Sequence, residues 1–547
     1  MQESVSFQRR KESRYRVPMD VEILPARAAG SEVTVDAHVI DVSRHGVRFE
    51  ARPGLLEDGT QARIGFRFTA SSRATPILRL SMREAPTENS QAYVGTIRFD
   101  SESDRRKFHG FLSSLKPDQL VDRRGRERRS NTSAWGSERR LGDRRRNFGI
   151  FTEAVSFASR APAWQAEYML YRPTESTLPS RIVSNGRELI SFGSNDYLGL
   201  SHHPQVKEAA IRAIERYGTC SGSRVLTGTM DLHRDFEREL ARFKGTETAI
   251  VFAGGYLTNV ALLTALFKEG DVAFLDEKAH ASIIDGCVYS RAKLVPFRHN
   301  SAEDLEAKIR RVRAWRSLVI VDGVYSLEGD LSPLRDIKDV ATRYNIPLMV
   351  DDAHGLGVMG KTGAGTAEHF GLKGQIDLDM GTLSGALGGV GGFVACKKYL
   401  ADYIRDFSRG FRFTTSLPPA TIAGLVESLR ILLADEVLRV RLWANMKQLK
   451  TGLTELGYQI SATESAILSI PIGHEQTTWE VVRLLEHEGI YVSPFIRPAV
   501  KRGQARIRLT VNSAHTEDDI VVGLDVFRRV KPEIEAKIQK GKSNLGG

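Results

Sequence analysis

Two arginines four residues apart, Arg10 and Arg14, and the short segment Asp41-Val-Ser43-Arg-His-Gly46 are the first groups in this chain suited to chemistry. Guanidinium groups grip phosphates and other anions through paired N–H donors. Asp41 can accept hydrogen bonds, Ser43 can bond polar atoms beside it, and Gly46 lets the backbone turn closely. Far downstream, Asp351 closes the apolar run Pro347-Leu-Met-Val350. Ligands bind at the carboxyl ends of strands in open α/β sheets, and a carboxylate there favours a protonated ring nitrogen beside it. A strand-end aspartate is often a helix cap, and a lone histidine such as His280 is more often structural than catalytic. A decoy follows. Gly355-Leu-Gly-Val-Met-Gly360-Lys361-Thr362 fits the GxxxxGK[ST] pattern, but a phosphate-binding P-loop opens directly into a helix. Here Gly363-Ala-Gly365 follows, a poor helix start, so neither ATP nor GTP is expected. His202 and His203 have no metal-ligand companions at useful spacing, and Cys220, Cys287 and Cys396 are too widely spaced for a zinc site. No metal is expected.

These groups must be positioned by more than one domain, since 547 residues exceed a single core. The first hundred residues alternate apolar and polar side chains (Val33, Val35, Ala37, Val39, then GVRFEA, ARIGFRF, ILRLSM and YVGTIRF) between Gly, Pro and polar clusters. That is the pattern of a small β-barrel over 5–117, closed by a helix at 104–115. Residues 118–150 read as a solvated basic linker or, alternatively, as an anion-binding arm that docks on nucleotide, membrane or a partner. Ten arginines against four acids between 121 and 147 hold over half of the net charge of +11, so the rest of the chain is not a broad nucleic-acid surface, and no DNA partner is expected. From about 185, helical stretches alternate with the apolar runs TAIVFA, VAFLD, KLVPF, LVIVDG and PLMVDD. This predicts a parallel α/β sheet in a major domain over 151–420. A smaller α+β domain over 421–540 has strands near ILSIPI, IYVSPF and ARIRLTV. The N-terminus has no apolar run of the signal-peptide kind, and there is no stretch of 18 apolar residues. Together with the sparse cysteines this predicts a cytoplasmic protein without a membrane span.

Arg10-Lys-Glu-Ser-Arg14 followed by Asp41-Val-Ser43-Arg-His-Gly46 resembles the paired signatures of the PilZ domain, which binds cyclic di-GMP. The resemblance implies Arg10, Arg14, Asp41, Ser43 and Gly46 as the nucleotide set, with Arg9 as an extra contact. Nine further segments, in order, resemble the α-oxoamine synthases, fold-type I enzymes dependent on pyridoxal 5′-phosphate (PLP): NDYLGLSHHP, GSRVLTGT, GGYLTN, HASIIDG, GVYSLEGD, VDDAHGLG, GTLSGALGGVGG, TTSLPPA and ARIRLTVNSAHT. That family includes 8-amino-7-oxononanoate synthase, 2-amino-3-ketobutyrate CoA ligase and serine palmitoyltransferase. Its members join an amino acid to an acyl-CoA or acyl-carrier thioester and release CO2. The resemblance implies Asp351 beside the pyridine nitrogen, His280 stacked on the ring, and Ser326 and His354 near the ring hydroxyl. It implies Gly255, Tyr256 and Thr382 on the phosphate, with Thr414 or Thr415 reaching in from the second subunit of a homodimer. Arg508, assisted by Asn195, would hold the substrate carboxylate.

One position departs from the family. Where the motif reads GT-[LF]-[SG]-K, this chain has Gly381-Thr382-Leu383-Ser384-Gly385. The family lysine forms the Schiff base with the cofactor and moves the α-proton, and glycine can do neither. Three readings follow: an acyltransferase that works by another base or holds PLP without a covalent link, a lysine-less pseudoenzyme serving as a cyclic di-GMP-responsive regulatory or partner subunit, or an engineered glycine.

Overall fold

The computed structural model describes residues 174–543, apart from 185 and 221, and the backbone of eight short strands between residues 15 and 122. The chain divides into two compact units, residues 1–166 and 167–547. In the first unit, the strands Val35–Ser43 and Gly46–Ala51 form a hairpin in which Ser43 pairs with Gly46. Strands at Asp20–Pro25, Gln61–Gly65, Ile77–Ala85 and Ala92–Arg98 join them in one antiparallel sheet. Asp20–Pro25 has no counterpart in the sequence reading. Arg10, Arg14, the side chains of Asp41 and Ser43, the expected helix at 104–115 and most of the basic linker lie outside the described residues.

The second unit is built on a seven-stranded sheet of β1 (Thr248–Phe252), β2 (Val272–Asp276), β3 (Lys293–Phe297), β4 (Ser317–Asp322), β5 (Leu348–Asp351), β6 (Leu378–Thr382) and β7 (Gly392–Cys396). The order is β1-β7-β6-β5-β4-β2-β3. Six strands run parallel and β7 runs against both of its neighbours, so the expected all-parallel sheet is corrected at one strand. The central strands are largely apolar because both faces of the sheet are covered. In β4, Leu318 and Ile320 face one core cluster while Val319 and Val321 face another. The smaller C-terminal layer has Ile467–Gly473, Ala505–Thr510 and Ser493–Phe495 side by side. Ile490–Tyr491 instead pairs in parallel with Arg187–Ser191. Among the described residues no helix is long and apolar enough to cross a membrane, and no cluster of His, Cys, Asp and Glu could hold a metal ion.

The carboxyl edge of the sheet concentrates buried charge. His299 Nδ1 lies 3.0 Å from Asp276 Oδ1 and its Nε2 lies 2.7 Å from Asp330 Oδ2. Burial opposes the charged ring, but its hydrogen bonds to the two carboxylates outweigh that and raise the imidazole to about 9. A raised cationic pKa stabilises the fold fully below the unfolded value near 6.5 and loses that contribution as pH climbs through 9. With 16% of the side chain still meeting solvent, the contribution is on the order of 2 kcal/mol. The thermal midpoint is therefore expected to fall between neutral pH and pH ~10. His299→Gln should start lower and lack that slope; an equal slope in the variant would refute the assignment.

Candidate active site

Asp351 ends β5 and is almost fully buried. Its Oδ1 accepts from Ala353 N at 3.1 Å and its Oδ2 from Asn259 Nδ2 at 2.6 Å. Asn259 sits on α1 (Gly255–Leu266) and also donates to Ser282 Oγ at 2.8 Å. Ser282, in the first turn of α2 (Ala281–Tyr289), bonds His280 Nδ1 at 2.7 Å through its hydroxyl, and its backbone N–H lies 3.3 Å from the same nitrogen. Since Nδ1 accepts both bonds, the ring proton belongs on Nε2. His280 is itself exposed, with its backbone N–H tied to Asp322 Oδ1 at 3.2 Å. Asp322 and Asp351 are cross-strand partners. Burial raises both carboxyls above their ordinary value; Asp351 further raises Asp322, whereas hydrogen bonding from Asn259 partly offsets the rise at Asp351. Among the described residues no Lys or Arg forms an ion pair with Asp351. A buried carboxylate that lacks a cation is suited to a protonated ring nitrogen.

Next to this network is an anion cradle. The first-turn N–H groups of α1 have no intrahelical acceptor, and the helix begins at Gly254-Gly255. A Cβ on Gly255 would stand 2.8 Å from Thr382 Oγ1, so glycine lets the helix end approach the hydroxyl that closes β6. Phosphate groups bind at such helix starts. Tyr256 is half exposed, and its hydroxyl bonds Asp285.

The segment after β6 turns back towards Asn195 and Tyr197. A Cβ added to Gly385 would meet Ala353 O at 3.4 Å, Asn195 O at 3.8 Å and the Tyr197 ring at 3.8 Å, all ordinary contacts. Gly385 is also outside the left-handed backbone region. Neither space nor conformation requires glycine here. Tyr197 is fully buried and its hydroxyl lies 2.8 Å from His354 Nδ1. Burial, with the positive charge of Arg508 nearby, pushes His354 down to about 3, so the ring is neutral near pH 7. Two other lysines are engaged. Lys244, the one buried lysine among the described residues, lies 2.8 Å from Asp379 and 3.5 Å from Asp352. Lys278 pairs with Glu328 at 3.2 Å.

Arg508 and Arg506 share a strand face but differ in surroundings. Arg508 is buried, donates to Asn195 Oδ1 and Ser326 O at 3.0 Å each, and has its guanidinium 4.6 Å from the Phe495 ring. Its Nε is buried without a partner. No carboxylate among the described residues pairs with it, so its charge is available to a substrate carboxylate. Arg506 is spent on Glu328 at 3.0 Å. Thr414 and Thr415 of this protomer line a small cavity with Phe252, Ala253 and Ser416, and Thr415 is bridged to Ser223. The P-loop-like segment is closed by Glu368, which accepts from Thr362 N, Thr362 Oγ1 and Ala364 N. The helix after it spans only Thr366–His369.

Sequence reasoning did not single out Asn259, Ser282, Asp322 or Tyr197, although each lies in or next to a segment it had quoted. Asn259 is four residues from Gly255, which places it one helical turn along, a usable signal.

The aminotransferase class I and II family model matches residues 187–527, and the PilZ domain model matches residues 8–105. An 8-amino-7-oxononanoate synthase from Thermoanaerobacter pseudethanolicus is 40% identical over 363 residues, covering 66% of this chain and 92% of that protein. A serine palmitoyltransferase from Sphingobacterium spiritivorum is 38% identical over 406 residues, 74% of this chain and 100% of that protein. Among solved structures, a lysine-to-alanine variant of serine palmitoyltransferase from S. paucimobilis with bound PLP–myriocin aldimine gives a TM-score of 0.68 at 33% identity, covering 71% of this chain and 100% of that one.

Proposed function

We propose, on the premise that this chain belongs to the aminotransferase class I and II family and to its α-oxoamine synthase branch, that its second unit is a PLP-dependent acyltransferase. It joins a small amino acid to an acyl-CoA or acyl-carrier thioester and releases CO2 and the free thiol. PLP, when bound, supplies an electron sink for charge that develops at the substrate α-carbon. In this reading Asp351 holds the ring nitrogen, positioned by Asn259. His280 lies over the ring, held through Ser282, and His354 and Ser326 face its hydroxyl. Gly255, Tyr256 and Thr382 hold the phosphate. Arg508 and Asn195 orient the substrate carboxylate. Thr414 or Thr415 completes the phosphate site from the second subunit of a homodimer. The observation that carries the proposal is the pairing of a buried carboxylate without a cation, Asp351, with a buried guanidinium without a carboxylate, Arg508.

The glycine at 385 favours a second reading, a pseudoenzyme that binds the same ligands and turns nothing over. Release of CoA from an acyl-CoA and a small amino acid, dependent on added PLP, separates the two. Its absence at saturating PLP leaves the binding-module reading.

For the first unit we propose a small barrel that binds cyclic di-GMP through Arg10, Arg14, Asp41, Ser43 and Gly46 and controls the second unit. Arg14→Ala is expected to weaken nucleotide binding by roughly tenfold or more, the loss of a charge-assisted contact; calorimetry on the full chain measures it. Control requires a coupling free energy, so PLP affinity should differ with and without the nucleotide. Equal affinities would leave the two sites unlinked.

A further inference from the structure

The amino-terminal edge of the central sheet carries an exposed aromatic ring among cations. Residues 312–316 join α3 (Ala302–Arg311) to the start of β4, and Trp315 on this turn is 99% exposed. The turn is braced. Arg316 donates from Nε to Asp271 Oδ2 at 3.0 Å and from Nη2 to Leu266 O, and its carbonyl accepts from Val272 N at 3.1 Å. The indole therefore projects from a fixed base. A ring of this size is usually buried over most of its surface.

The charge around it is of one sign. β2 starts between β3 and β4, with Val272 opposite both Lys293 and Ser317, so the turns that precede these three strands share one edge. The acids of those turns, Glu269 and Asp271, are paired with Arg291 and Arg316. Lys268, Lys293, Arg311 and Arg313 are exposed and have no ion-pair partner among the described residues. Arg310, by contrast, is spent on Glu306 and Tyr344. Four uncompensated cations thus share the edge with Trp315.

We propose that this edge docks on an anionic lipid bilayer, with Trp315 entering the headgroup layer and Lys268, Lys293, Arg311 and Arg313 facing acidic headgroups. Charge complementarity sets the sign of the partner, since each cation near an anionic membrane strengthens binding about 5-fold. The lone projecting ring selects a lipid layer over an acidic protein. An indole has an apolar body and one N–H, which suits it to the headgroup level. A fluid layer receives such a ring without a preformed pocket, whereas a folded partner must supply a matching cavity. This docking is peripheral and reversible and needs no spanning helix. Asp351 closes the carboxyl end of β5, which runs parallel to β4. The docking edge is therefore opposite the candidate active site, and the proposal does not depend on the proposed reaction.

The test mixes the full chain with vesicles of phosphatidylcholine alone, or of phosphatidylcholine with on the order of 30% phosphatidylglycerol. Cosedimentation should favour the anionic vesicles by ~10-fold or more and fade as ionic strength rises from ~0.1 M to ~0.5 M. Trp315 is one of five tryptophans. Brominated acyl chains should quench part of the indole fluorescence, and Trp315→Phe should abolish that quenching. Trp315→Ala should weaken binding ~10-fold, and the pair Arg311→Gln and Arg313→Gln together ~20-fold. All three positions are exposed, where substitution scarcely affects folding. The ten arginines between 121 and 147 remain in every variant. Equal binding by parent and variants would assign the vesicle affinity to that segment and overturn the proposal. Absence of binding to the anionic vesicles, or binding without quenching, would overturn it as well. Trp315-dependent binding to poly-glutamate without binding to vesicles would identify an acidic peptide as the partner and overturn it too.

Discussion

Gly385→Lys, supplied with PLP, should release CoA at least ~100-fold faster than the parent chain, the scale of a positioned acid–base group restored. It should also hold the cofactor covalently, so that borohydride reduction traps PLP on position 385. The physical basis is the space around Gly385. Its first side-chain atom would meet only ordinary contacts, and its backbone lies where any residue is comfortable. Of its neighbours, Asn195 bonds Arg508 and Tyr197 bonds His354. A lysine there extends from a buried, strain-free position rather than forcing a loop to move. The parent chain, by contrast, should show cofactor that reduction does not trap on the protein. If the parent were trapped on another amine, such as Lys278, the glycine would not be the missing element. A Gly385→Lys protein that binds PLP covalently and still releases no CoA would refute the acyltransferase reading and leave the pseudoenzyme.

Asp351→Asn should weaken PLP binding by ~100-fold while leaving the PLP-free protein at least as stable as before. The two effects have opposite origins. With PLP, the variant replaces a buried carboxylate by a neutral amide beside a cationic ring, and removing one partner of a buried charge pair costs several kcal/mol. Without PLP, the carboxyl is a burden. Burial raises Asp351, and burial together with Asp351 raises Asp322. An acid with a raised folded pKa binds more protons folded than unfolded, so stability declines as pH rises from the ordinary carboxylate value near 3.8 through the raised one. Asp351→Asn removes part of that decline. A pH series of thermal midpoints on the PLP-free protein, set beside PLP titrations, measures both. A variant that is less stable at neutral pH and binds PLP normally would show that Asp351 is structural.

Much of the fold was legible because its signals are local. The runs TAIVFA, VAFLD, KLVPF, LVIVDG and PLMVDD became β1 to β5 because strands covered on both faces are largely apolar. The reversal of β7 was not legible. Strand direction depends on the path of the preceding Gly-rich turn, and both orientations demand the same apolar residues.

The amino-acid sequence by itself determined the family, the order of the motifs and the fact that glycine stands at 385, because residue identity at fixed spacing carries that information. It also argued against a P-loop, since Gly363 and Gly365 are a poor helix start. Only the tertiary structure decided which of Arg506 and Arg508 keeps a free charge. It did so too for the bonds that run from Asp351 through Asn259 and Ser282 to His280, and for the ordinary space around Gly385. Those are matters of burial and of partners distant along the chain. Arg506 and Arg508 have the same chemistry and the same strand face, and what separates them is Glu328, 178 residues away in sequence, a distance that no local pattern spans.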